Sequence, residues 1–360
     1  MKSLRHILFP LGLALVMALF PMTGLHAAQT FYQTHNLVSN QDGVANHTDL
    51  HLKNAWGIAF NPNAVVWIAD NGTGFSTLYD GTGAPQTLVV TIPPPAGGTG
   101  PSAPTGIVFN SSSNFVVKKE SAEGSALFIF ATEDGTISGW SPGVDPTNAI
   151  LKVDNSASGA VYKGITLAGN GTAHFLYATD FHNGRIDVFD SSFQPAVLSG
   201  SFSDPSIPDG FAPFGIQNLN GDIYVTYAKQ DADRHDDVKG KGLGYVNVFD
   251  SNGNLIRRVA SKGKLNAPWG LAMAPAGFGK FSNRLLVGNF GDGKISAFDV
   301  ATGKAVGTLQ QSQGKDLSID GLWGLSFGNG VKDQPTDVLF FTAGPNDEEN
   351  GLYGFIEPAP

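Results

Sequence analysis

Six short polar clusters in this chain each follow an apolar run: Asp70-Asn71, Glu133-Asp134, Asp180 with His182 and Asn183, Lys229 through Asp233, Asn289 with Asp292, and Asn346-Asp347. Carboxylates and amide carbonyls brought to one place suit a hard cation such as calcium. On that reading Asp70, Glu133, Asp180 and Asn289 are the candidate metal ligands. His182 is then the group that would move a proton, and Asp231, Asp233, Asp292, Asn346 and Asp347 are further loop candidates. A second set stands just before six recurring glycines: Trp56, Phe214, Trp269 and Trp323, with Thr105 and Lys163 in the other two copies. Aromatic faces beside hydrogen-bonding groups such as Lys163 and Lys229 suit a sugar, a lactone or another small polar ligand. Both sets also have an architectural reading, in which the aromatics wedge between sheets while Asp and Asn cap turns.

The stretch "KQDADRHDDVKGKG" at 229–242 concentrates charge: Asp231, Asp233, Asp236 and Asp237 with His235. It lacks the central glycine and closing Glu of an EF-hand loop. Its alternatives are a cation site and a solvated loop ordered by its own Lys and Arg. No G-x-S-x-G, H-E-x-x-H or Walker A pattern occurs, and with no cysteine there is no thiol nucleophile. The eight histidines show no zinc-like spacing. His47, Asp49 and His51 come nearest to a cluster and read as a polar linker.

A repeat must position these residues. "NAWGIAF", "APTGIVF", "VYKGITL", "APFGIQNL", "APWGLAM" and "GLWGLSF" surround Gly57, Gly106, Gly164, Gly215, Gly270 and Gly324, at intervals of 49 to 58 residues. Each copy continues with a β-rich run such as "VVWIAD" or "FLYATD", a polar turn, and a second phrase such as "GRIDVFD", "GYVNVFD" or "GKISAFD". The first five copies then add a fourth strand-like run. Alternating apolar residues between Gly, Asn and Asp turns signal strands, and four antiparallel strands repeated at about 50 residues describe propeller blades. The expected fold is all-β, a six-bladed β-propeller of four-stranded blades. The sixth copy has no fourth strand, so "TFYQTHNLVS" at 30–39 is expected to complete it and close the ring. In such a ring the start of each inner strand and the end of the second lie at one channel mouth, where both candidate sets would meet.

The stretches "LVSNQDGVANHTD", "WIADNGTG", "ATEDGTISGW", "DNSASGAVYKG", "YAKQDADRHDDVKGKG" and "FTAGPNDEENGLYG" make the chain resemble a bacterial family. Its members are exported, NHL-like six-bladed propeller proteins of uncharacterised activity, some with a PEP-type C-terminal sorting tail. The resemblance spans residues 34–356 and implies the fold and an exported location. The chain departs from tailed members by ending at "GFIEPAP".

Lys2, Arg5 and His6, then "ILFPLGLALVMALFPMTG", then "LHAAQ" have the layout of a secretory signal peptide. The expectation is a leader over 1–28 and one propeller domain over 29–360, periplasmic or extracellular in a bacterium. The formal net charge of −9 repels phosphate backbones and anionic lipid, so neither nucleic acid nor, after leader removal, a membrane is an expected partner. With no cysteine, stability must come from core burial, and a monomer is expected. Two functions follow. One is a non-catalytic platform binding a small polar ligand, glycan or protein on one face of the channel. The alternative is a calcium-dependent hydrolase or lactonase with the metal at the channel mouth.

Overall fold

The computed structural model describes residues 30–359, so the expected leader lies outside the described residues. Six antiparallel sheets stand around a central channel. Their innermost strands are Ala55–Phe60, Pro104–Phe109, Tyr162–Gly169, Phe211–Leu219, Pro268–Met273 and Leu322–Phe327. Outside the blades lie two small hairpins, Val116–Lys119 with Ala122–Ser125 and Gln310–Ser312 with Lys315–Asp316, and two 3-10 turns, Ser156–Ser158 and Gly279–Phe281. The protein is a six-bladed β-propeller.

The recurrent aromatic-glycine pair has a steric cause. A Cβ on Gly215 or Gly270 would run into the carbonyl of Trp269 or Trp323 on the next inner strand. Gly57 meets Thr105 in the same way, and Gly324 meets Trp56, which closes the circle. At each glycine the ladder to the second strand also slips, as between Ala55 and Ile58 or between Pro268 and Leu271. A glycine bulge lets two backbones approach and re-aims the preceding side chain. Here that side chain is the aromatic, turned toward the channel.

Tyr32–Ser39 pairs antiparallel with Leu352–Pro358 and supplies the outer strand of blade six. Tyr32 is buried, and its hydroxyl donates to the Phe278 carbonyl at 3.1 Å. The repeated Phe-Asp pair does two jobs. Phe189, Phe249 and Phe298 are buried, while one carboxylate oxygen each of Asp190, Asp250 and Asp299 accepts two backbone N–H bonds of the following turn.

One expectation is corrected. Blade three has three strands, not four: Tyr162–Gly169, His174–Asp180 and Arg185–Phe189. The chain beyond Phe189 touches this edge only at Pro195 and Ala196 and is then drawn to blade four.

Candidate functional site

The glycine bulges gather Trp56, Phe214, Trp269 and Trp323 into one aromatic cluster, joined by Phe181 and Phe290. Trp323 lies at its centre, 3.8 Å from Trp56 and stacked on Phe290 at 3.9 Å. All but Trp269 are buried, so these rings form a floor that fills the channel rather than an open rim. Two indole N–H groups are already used: Trp269 donates to the Lys163 carbonyl at 2.8 Å and Trp323 to Asn54 Oδ1 at 3.0 Å. The Trp56 N–H is buried without a partner.

Lys163 occupies the aromatic's place in blade three. Its side chain is 2% exposed, and Nζ sits 5.2 Å over the Trp56 ring. The ammonium donates to Glu133 and, at 3.0 Å, to Asp236. Burial pulls the Lys163 pKa down, but the two carboxylates outweigh it and the net direction is up. From Glu133 a chain of amides runs round the mouth. Asn71 donates to Glu133 at 2.7 Å, and Asn54 donates to Asn71 at 3.1 Å and to Glu348 at 2.6 Å.

The charged insertion roofs this assembly. It is a hairpin tied by Asp231 N–H to the Asp236 carbonyl and by Val238 N–H to the Lys229 carbonyl, both at 2.8 Å. Gln230 anchors it to the Phe181 carbonyl at 2.6 Å. The hydrogen bond with His235 at 3.0 Å, and then Lys163, hold Asp236 well below the usual carboxylate range. Asp237 goes the other way: burial pushes it up to about 7, against the pull of Lys163 and Lys239. One of its oxygens is buried without a hydrogen-bond partner. Burial also raises Glu348, with Glu133 adding to the effect.

The candidate metal ligands are placed apart. Asp70, Asp180 and Asn289 end the second strands of blades one, three and five and are fully buried. Asp180 caps its own turn, accepting from Val161 and Asn183 N–H at 3.2 Å each and from Asn183 Nδ2 at 2.7 Å. Asn289 donates to the Lys264 carbonyl and to Asp292. Asp70 has neither oxygen partnered, although the Thr77 hydroxyl lies beside it, and burial raises its pKa well above the usual value. Glu133 alone of the four enters the network just described. Among the described residues its close ligand-type neighbours are His235 and Asp236, with one atom of each of the three within 4.8 Å of the others.

The loop candidates are dispersed as well. Lys229 and Asp233 are exposed, and Asp231 accepts the His235 N–H within the hairpin. His182 contributes its carbonyl to Gln230. Asn346 and Asp347 are exposed but begin a run of three left-handed residues, with φ of 60°, 49° and 67° through Glu348. That run delivers Glu348 to the mouth. Glu348 and Asn54 are the members that sequence reasoning missed. For Asn54 a signal exists, since it stands two residues before Trp56; for Glu348 nothing separates it from Glu349.

No protein-family model matches the chain. Relatives do. "Uncharacterized protein R648" of Acanthamoeba polyphaga mimivirus is 36% identical over 92% of this chain and 82% of its own length. "Uncharacterized protein L690" of the same virus is 34% identical over 92% and 87%. The chain belongs to their family. This corrects two expectations, that of a bacterial family and that of a bacterial periplasmic or extracellular location, because the matching relatives are viral. Among solved structures, a gluconolactonase from Xanthomonas campestris superposes with a TM-score of 0.54 at 11% identity, over 92% of this chain and 91% of that one. A glucose dehydrogenase gives 0.52 at 12%, over 91% and 99%. These neighbours differ in activity and share the propeller, so the fold does not choose a reaction.

Proposed function

We propose that the protein is a binding platform whose working face is the channel mouth under the 229–242 hairpin, and that its ligand is a small molecule bearing an amine. The observation that carries this is Asp237, whose buried oxygen has no hydrogen-bond donor. Glu133 and Asp236 are matched by Lys163, but Asp237 and Glu348 are not matched in the same way. An unsatisfied buried carboxylate costs free energy that a ligand ammonium would recover. Three consecutive left-handed residues that deliver Glu348 are a strained arrangement of the kind found at functional sites.

The calcium-dependent hydrolase is the second reading, favoured by the Glu133, His235 and Asp236 grouping. It meets an obstacle, because the Lys163 ammonium already lies between Glu133 and Asp236 and would have to be displaced. Calorimetric titration at pH 8 with spermidine, glucose, gluconate and calcium chloride separates the readings. Saturable heat from spermidine supports the platform as described. Heat from calcium alone would move the assignment to the metal.

A further inference from the structure

A groove of about 820 Å³ runs along the outer edge of blade three, walled by Arg185–Phe189, by residues 195–203 and by the blade-four turn at 253–255. In blade one the Gln86 N–H bonds the Leu78 carbonyl at 2.9 Å, and two residues back along the strand Ser76 pairs with Val90. Blade three begins identically: Ala196 N–H bonds the Val188 carbonyl at 2.8 Å. Ile186 is therefore the counterpart of Ser76, and Gly200 is the residue due to pair with it. Instead Gly200 N–H bonds the Asn252 carbonyl at 2.8 Å, and Phe202 N–H bonds the Gly253 carbonyl at 2.9 Å. The detour is built in. A Cβ on Gly200 would strike the Gly253-Asn254 backbone, and Phe202 is buried against Tyr177 and Phe249. Backbone groups alternate in direction along a strand, so those of Ile186 face outward with Val188. Among the described residues they have no partner there.

We propose that this groove binds an extended segment of a partner protein, added as the missing fourth strand of blade three. Strand addition at an open edge draws affinity from main-chain hydrogen bonds and specificity from alternate side-chain pockets. Size fits: a five-residue strand, at about 3.4 Å per residue with strands 4.8 Å and sheets 10 Å apart, fills on the order of 800 Å³. The lining favours an uncharged segment with small apolar residues at alternate positions. Ile186, Val188, Val197 and Leu198 supply apolar surface, Val197 being 99% exposed, while Arg185 is paired with Asp187 at 2.7 Å. A contact one strand long buries well under the roughly 1,200 Å² that a specific pair of folded proteins needs, which points to a flexible segment rather than a second copy of this chain. Blade six gives the internal precedent, taking its outer strand from Tyr32–Ser39.

The test titrates the full chain with the labelled pentapeptide acetyl-Ser-Val-Thr-Val-Ser-amide and with a control carrying proline in place of both valines. Expected are saturable binding of the first in the millimolar range or tighter, slowed amide exchange at Ile186, and no binding of the control. Ile186→Pro removes an N–H that faces the groove, at an edge position where proline is tolerated. Val197→Asp places a charge on a fully exposed side chain. Each should lower affinity at least tenfold, and Val197→Asp should do so while keeping the parent melting temperature. Absence of saturation, or affinity unchanged in both variants, overturns the proposal. Binding seen only with a chain that begins at residue 30 assigns the groove to this protein's own first 29 residues and also overturns it. So does a dimer that dissociates on Ile186→Pro. The groove is separate from the channel mouth, so failure here leaves the amine site untouched.

Discussion

The Lys163 ammonium, on the inner strand of blade three, lies 3.0 Å from the Asp236 carboxylate on the hairpin inserted into blade four. This bond, with the one to Glu133 of blade two, ties three blades together at the channel mouth. Removing Lys163 strands the buried Glu133 carboxylate, while Asp236 stays solvated, and losing one partner of a buried pair costs roughly 3–5 kcal/mol. Lys163→Met should therefore lower stability by that order in urea unfolding at pH 7. Adding Glu133→Gln to it should restore part of the loss.

Asp237 makes stability fall as pH rises. Its folded pKa, about 7, lies above that of an unfolded aspartate, so the folded state holds a proton that the unfolded chain releases. The stabilisation is complete below about pH 4 and is lost as pH climbs through 7. Asp237→Asn should flatten this segment of the pH profile and raise stability above pH 8 by on the order of 3 kcal/mol. Thermal melts at half-unit pH intervals measure it.

Asp70 and Asp180 occupy the same position in their blades but differ in their partners. Asp180→Ala removes the acceptor for two backbone N–H groups and an amide and should cost about 1–3 kcal/mol. Asp70 has no partnered oxygen and a raised pKa, so its stabilisation likewise drains away as pH rises. Asp70→Asn should therefore gain stability relative to the parent as pH rises, which denaturant titrations of both variants across pH will show.

Deleting residues 30–39 exposes the whole edge of Leu352–Pro358 and discards the buried Tyr32. The variant should melt well below the parent and aggregate through the open edge. Light scattering during a thermal ramp reads both effects.

The ring was legible because its constraints are local. A bulge between crowded backbones admits only glycine, and Gly57, Gly106, Gly215, Gly270 and Gly324 mark it, with Gly164 in a looser contact. The detour of blade three was not legible. Residues 194–203 alternate as a strand would, and only the Gly253-Asn254 backbone beside Gly200 reveals where they go. At the site, Lys163 stood out as the cation replacing an aromatic, and the Asp236-Asp237 pair as part of a charged insertion. That Asp180 and Asn289 turn into their own blades depends on hydrogen bonds across each turn, while Asp70 is buried with neither oxygen partnered. That Glu348 reaches the mouth depends on a left-handed backbone run, and nothing in "NDEEN" announces it.

The central claim is that Asp237 receives a ligand amine at the channel mouth, and spermidine titration of the parent and of Asp237→Asn from pH 6 to pH 8.5 tests it most directly. Deprotonation of Asp237 near pH 7 should make parent affinity rise across this range. The variant should bind at least tenfold more weakly at pH 8.5 and show a flat profile. Equal affinity in parent and variant, or no saturable binding at any pH, would contradict the account.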